Sequence, residues 1–360
     1  MRPTRWRAAA LLALASASNV QAHEAASASP AVRALLVQAE SALARGDAQV
    51  ARSAFEQAAA LEHTADIETG WVRAQMQAGE YRRALAFAAH TAGAHPNDAE
   101  GGALYAWLLF LGGQEAVAQQ VLARAAQRLP QDALLAETRE RLSAVMAHSA
   151  PNRPWPYRPE ALGDRHATHA RVTGSALLLG DASHALVPLS LLEGSGTLWV
   201  RNGLGRSTRA EVLRRDEASG FGVLRLAQPL DAPAPLALAP REAFPGSPGF
   251  VVGYTVDTTA QPAWPRLSAG FLGMPAPDAG VRRLGIDVPN GSTGAPVFDN
   301  LGRLVGIVLP ATTDRQHRLS SVASLRGVMA ALPEPVSGTQ PLDELYENAL
   351  RSSLQLIRAD

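Results

Sequence analysis

From Ala31 to about Met146 the apolar residues return every three or four positions in a stretch rich in Ala, Leu, Gln and Glu. That period, with few β-branched side chains, predicts amphipathic helix throughout. Beyond a proline-rich stretch the texture changes to short alternating or apolar runs: "ARVTGSALLLG", "HALVPLSLL", "GTLWVRNG", "RAEVLRRD", "FGVLRLA", "GFVVGYTV", "PRLSAGFLGM", "VRRLGIDVP", "GAPVFDN" and "LVGIVLP". Gly, Pro, Asp and Asn turns separate them at short intervals, which predicts an all-β barrel or sandwich. Between the two textures, "AHSAPNRPWPYRPEALGDRH" carries four prolines from Pro151 to Pro159, and this density predicts a linker over residues 148–165. The chain of 360 residues is long enough for two separate cores.

The helical half repeats itself in three lines: "LARGDAQVARSAFEQAAAL", "MQAGEYRRALAFAAHTAGAHPND" and "LGGQEAVAQQVLARAAQRLPQD". Gly46, Gly79 and Gly113 precede the second helix of each unit, Ala51, Ala84 and Ala118 follow five residues later, and Pro96 and Pro130 close two units in phase. Glycine admits the tight turn between paired helices, alanine their close approach, and proline ends the second helix. With a period of about 34 residues, the region from 31 to 147 resembles three tetratricopeptide repeats. The resemblance implies a concave face that takes a peptide or protein partner. A folding or spacing module is the alternative.

Charge narrows the partners. Acidic and basic residues balance at 33 each, and no cluster of arginines with interleaved aromatics appears, so neither nucleic acid nor an anionic membrane is expected. The start, "MRPTRWRAAALLALASASNVQAHE", reads as a secretory signal over residues 1–22, cut after Ala22; its apolar run is too short for a membrane span. The chain has no Cys, hence no disulfides, and export to a bacterial periplasm is expected.

The ordered phrases of the β half resemble the trypsin-like (chymotrypsin-fold) serine proteases of the Deg type. Gly174, Ser175, Ala176 and Leu177 are similar to that family's G-S-G-x-x-[IL] strand. "EVLRRDEASGFGVLRL", "PGSPGFVVGYTV" and "PRLSAGFLG" follow in the family's order, and "PNGSTGAPVFDNLGRLVGIVLP" stands where its G-[DN]-S-G-G-P nucleophile loop and hairpin lie. The resemblance implies a double β-barrel over residues 166–335.

It also implies where the chemistry would sit. A nucleophile needs an imidazole base, a carboxylate to orient that base, and two backbone N–H groups for the oxyanion. The three side-chain slots fall on Thr293, Ser190 and Gly220, so no catalytic residue of the triad is intact. The glycine frame survives in Gly291, Ser292, Thr293 and Gly294, which makes these the candidates for an oxyanion loop or peptide-binding loop. A displaced base from His184, His166 or His169, with Asp181 or Asp287 as partner, is the route by which Thr293 would regain activity. No His or acidic spacing points to a metal, and no cofactor is expected.

"PLDELYENALRSSLQLIRAD" closes the chain. Its helix and alternating run resemble the segment that opens Deg-type domains, so residues 336–360 are expected either to supply the first strand of the barrel or to pack as an amphipathic helix on the repeats. The functional expectation is an exported, non-catalytic protease homologue that acts as a peptide-binding or protein-binding adaptor. Its alternatives are a working endopeptidase on Thr293, and a tetratricopeptide scaffold with a purely structural β-domain.

Overall fold

The computed structural model describes residues 28–146, 157–166, 169–256, 259–275, 281–289, 291–311, 317–329 and 340–359. The signal segment and the first part of the proline-rich stretch lie outside the described residues. Seven helices come first among them: α1 (Pro30–Arg45), α2 (Ala48–Leu61), α3 (Ala65–Gln77), α4 (Tyr81–Ala94), α5 (Ala99–Leu111), α6 (Glu115–Arg128) and α7 (Ala133–Met146). They form three antiparallel hairpins and a seventh helix against α5 and α6. Gly46, Gly79 and Gly113 sit in the three intra-hairpin turns with φ of 81°, 75° and 79°, a region that other residues enter only with strain. Ala51, Ala84 and Ala118 are fully buried where the helices meet. The sequence of α5 is apolar almost all round, and every residue from Gly101 to Leu111 is buried or half-buried, as befits a helix enclosed by its neighbours.

The β part contains β1 (Leu162–Gly163), β2 (Arg171–Leu178), β3 (His184–Pro188), β4 (Thr197–Asn202), β5 (Arg206–Asp216), β6 (Phe221–Leu226), β7 (Pro248–Gly253), β8 (Arg266–Pro275), β9 (Val281–Gly285), β10 (Pro296–Asp299), β11 (Leu304–Leu309), β12 (Arg318–Ser320) and β13 (Ser353–Ala359). A turn of 3₁₀ helix, Leu189–Leu192, follows β3; α8 (Val322–Val328) follows β12, and α9 (Leu342–Ser352) leads into β13. All ten strand phrases of the sequence correspond to strands β2 to β11. The short β1 and β12 carry too few residues to show a period.

The second barrel closes in the ring β7, β8, β9, β12, β11, β10 and back to β7. In the order of its own strands this is one, two, three, six, five, four. The first barrel closes as β13, β2, β3, β6, β5, β4, with β5 also paired to β6. It has the same connectivity when the C-terminal strand is counted as its first. β13 runs antiparallel to both neighbours, with Leu354 opposite Ala176 and Asn202, and Leu356 opposite Gly174 and Val200. All seven of its residues are buried, and Leu354 and Leu356 belong to the interior of the first barrel with Leu178, Val187, Val200 and Leu224.

Helices and barrels share one continuous core. Tyr81 of α4 meets Tyr346 of α9 edge to face, 4.4 Å between ring centres, and the Tyr346 hydroxyl donates to Pro265 O at 2.7 Å. Around this contact Arg82 pairs with Glu347, and Arg351 donates to Ala78 O. The turn glycines have a second role here: a Cβ on Gly46, Gly79 or Gly113 would lie 2.7 Å from Leu162, Arg351 or Leu267 respectively. The intra-hairpin turns therefore form the edge of the array that seats on the β part.

Deleting residues 353–360 should leave the first barrel unable to close, seen as loss of cooperative tertiary unfolding. Leu356→Ala is the milder version, expected to cost about 2–5 kcal/mol for a fully buried leucine; tryptophan fluorescence during urea denaturation measures both.

Candidate functional site

The loop Gly291–Gly294 lies at the junction of the barrels, between β9 and β10. Its shape follows from two glycines at left-handed φ, Gly291 at 100° and Gly294 at 89°. Both are also places of close approach: a Cβ on Gly291 would stand 2.2 Å from Val256 N, and one on Gly294 1.9 Å from Ser175 O. Ser175 of β2 is the anchor from the first barrel. Its N–H donates to Thr293 O at 2.8 Å, and its hydroxyl accepts from Tyr254 N at 3.1 Å. On the other side, Gly294 N donates to Val308 O at 2.8 Å and Ser292 N to Pro289 O at 3.2 Å. Among the described residues, no hydrogen bond takes up the intervening N–H groups of Gly291 and Thr293. Such a pair of amide donors on a glycine-shaped loop can receive a carbonyl or carboxylate oxygen.

The other two slots come close to this loop. Ser190 lies exposed in the 3₁₀ turn after β3. Gly220 ends the β5–β6 turn with φ of 76°, and Leu189 N donates to Gly220 O at 3.0 Å, so the backbone brings Ser190 and Gly220 side by side. Leu191 then reaches the loop: its Cδ1 lies 2.7 Å from where a Cβ on Gly174 would be and 3.2 Å from one on Gly294. Arg358 of β13 fixes this turn, donating to Leu191 O at 3.0 Å, Gly194 O at 3.2 Å and Ser195 O at 3.0 Å. Sequence reasoning missed Arg358, because no local pattern marks an arginine that acts across 160 residues of chain. The turn and the loop thus bring the slots Thr293, Ser190 and Gly220 toward one another, and these three positions themselves carry two hydroxyls and no ring nitrogen or carboxylate.

Of the three candidate histidines, His184 stands away from the slots. His184 Nδ1 is 2.6 Å from Asp181 Oδ2, but the pair stands at the opposite end of β3 from Ser190, more than about 13 Å away at 3.3 Å per residue. Burial disfavours the charged form of the Asp181 carboxyl, yet the hydrogen bonds from His184 and the Ser183 amide together hold it below the usual carboxylate range. His166 Nε2 lies 2.6 Å from Arg201 Nη2, beside Trp199. His169 is exposed ahead of β2. Asp287 and His317 line a cleft of about 730 Å³ with Arg283, Ile286 and Met274, and Val288 carries its wall toward the loop. Among the described residues, no group of three His or acidic side chains is placed to hold a metal ion, and no helix is long and apolar enough to cross a membrane.

Residues 159–307 match the family model described as a trypsin-like peptidase domain. Solved structures similar to this chain include the active form of the Rv3671c protease from M. tuberculosis, at 16% identity over 52% of this chain and 97% of that one, with a TM-score of 0.35. The serine endoprotease from Yersinia pestis is 16% identical over 46% of this chain and 62% of that one, TM-score 0.38. The MamO protease domain from Magnetospirillum magneticum is 14% identical over 46% of this chain and 97% of that one, TM-score 0.37. No curated protein sequence matches. The chain carries a trypsin-like peptidase domain, in two six-stranded barrels, behind an array of seven helices.

Gly294→Ala should cost about 1–3 kcal/mol from the φ alone, with the contact to Ser175 O in addition; thermal melting checks it. Asp181→Asn tests the remote pair. Because the folded Asp181 titrates below its unfolded value, its contribution is present above the ordinary carboxylate range and lost as pH falls through the folded value. The stability gap between the two proteins in urea melts should therefore shrink from pH 7 to pH 3.

Proposed function

We propose that this chain is an exported trypsin-like protease homologue that binds peptides or proteins without cutting them. The reading rests on one contrast at the barrel junction. The two amide donors of Gly291 and Thr293 remain unengaged, while the positions beside them where proton transfer needs an imidazole and a carboxylate hold Ser190 and Gly220. A threonine hydroxyl without a base stays protonated near neutral pH, and its extra methyl crowds attack on a carbonyl. Removing the serine or the histidine alone from a serine protease lowers turnover by about 10⁶. What remains is a cleft with oriented donors and an adjoining groove, suited to holding a backbone oxygen of an extended chain.

The helical array supplies the second half of the proposal. Its three hairpins, glycine turns and period support tetratricopeptide repeats, with α7 as a closing helix, and such arrays take peptides on the face of their first helices. The N-terminal signal segment supports export to the periplasm. A working endopeptidase on Thr293 is the second reading, favoured by the same unengaged donor pair.

Fluorophosphonate labelling separates the two. The purified protein and Thr293→Ser should stay unlabelled, whereas Ser190→His, Gly220→Asp, Thr293→Ser together should regain labelling. A peptide selected from a displayed library should be recovered intact by mass spectrometry after prolonged incubation. Labelling of the unmodified protein at Thr293, or cleavage of that peptide, rejects the non-catalytic reading.

A further inference from the structure

The end of the proline-rich stretch crosses the helical array as an extended strap. Tyr157 is buried with the array's core, and its hydroxyl donates to Glu100 O at the start of α5, 3.3 Å away. Burial, followed by the carboxylates of Glu100, Asp98 and Asp132, pushes its phenol above the ordinary range, which marks how closely the loops ahead of α5 and α7 surround it. Three residues on, the Glu160 N–H donates to Gln77 Oε1 of α3 at 3.0 Å, and the Glu160 carboxylate lies 3.4 Å from Arg73 of the same helix. Leu162 then packs on Gly46 at the end of α1. The strap passes from the N-terminal end of α5 to the C-terminal ends of α3 and α1, the first helix of each hairpin.

These contacts are those by which an array reads a bound peptide. A side-chain amide meets a main-chain N–H, an arginine meets a carboxylate, and a buried site takes an aromatic ring. Gln77 is itself 6% exposed, and its Nε2 donates to Leu204 O in the β4–β5 turn, so its orientation is fixed from the barrel side. Arg73 is shared with Glu40 of α1 at 2.9 Å.

We infer that residues Tyr157–Glu160 are an internal ligand of the helical array, and that the array's external partner is an extended peptide with an aromatic residue three positions ahead of a carboxylate. The inference rests on the reading of the array as a peptide-binding module. It adds what that peptide must look like and what it must displace. Because the strap continues into β1, which pairs with β5 through Leu162 and Arg206, its displacement would loosen the edge of the first barrel. While the strap is seated, the apparent affinity for any competitor falls by the fraction of time that the groove is open.

The test uses the full chain and, as probe, a fluorescein-labelled synthetic peptide of residues 153–164, read by fluorescence anisotropy. In a Tyr157→Ser, Glu160→Gln double variant the internal anchors are lost, and the probe should bind about tenfold or more tighter than to the unmodified chain, a lower bound set by a strap seated nine-tenths of the time. Adding Arg73→Ala should take most of that gain away. Equal affinity for the double variant and the unmodified chain removes the internal ligand and leaves the array's peptide binding standing, since that is decided by the library selection. Should the double variant not fold, the unmodified chain carries the test. Hydrogen exchange at the Glu160 and Leu162 amides should rise as the probe saturates, and saturation without any rise overturns the inference.

Discussion

The pairing of β13 between β2 and β4 is the interaction on which the rest of this molecule depends. Without it the first barrel has two edges and no closed interior, since β2 and β4 face each other only through the C-terminal strand. The same strand holds the candidate site together. β2, fixed by β13, carries Ser175, whose amide holds Thr293 O. β13 itself carries Arg358, whose guanidinium gathers three carbonyls of the segment after Ser190. A loop from the second barrel and a turn from the first therefore keep their relative position through one strand that belongs, in chain order, to neither.

The helix before that strand extends the dependence to the array. α9 touches α4, β2, β4 and β13, and its Tyr346 lies against Tyr81 on one side and Pro265 on the other. Burial pushes the phenols of Tyr81, Tyr254 and Tyr346 well above their ordinary range, and each hydroxyl donates to a backbone carbonyl, Leu108, Ser353 and Pro265 in turn. Buried hydroxyls with a carbonyl partner cost little and fix geometry. Here the bonds of Tyr254 and Tyr346 join the second barrel to β13 and α9, and that of Tyr81 holds the ring that meets Tyr346.

Much of this was legible in local patterns, and the reason is physical. Helical period and strand alternation are written residue by residue, so the three hairpins and the strands β2 to β11 could be read from the chain. Spacing within one phrase also placed Gly291, Thr293 and Gly294, whose loop is built from neighbours in sequence. What could not be read were contacts between distant segments. Gly46, Gly79 and Gly113 have an evident turn role, while their seat against Leu162, Arg351 and Leu267 left no mark in the repeat. Tyr157 to Glu160 carry the composition of a spacer, and only packing shows Tyr157 and Pro159 buried and Glu160 bonded to α3. Arg358 and Leu191 shape the site from positions that no motif singles out.

The position of β13 in the chain also governs how the protein comes into being. Every other strand of the first barrel is made, and crosses a membrane if the chain is exported from its N-terminus, before the strand that seals it. The β2–β13 contact spans some of the longest sequence separation in the molecule, so closure is a late and slow event by its topology. The helical array, whose contacts are local, can be in place long before. A copy of the chain cut within α9 would present the unpaired edges of β2 and β4, the surface on which other strands add. The seam between β2 and β4 thus stays open until β13 is in place, and is hidden from then on.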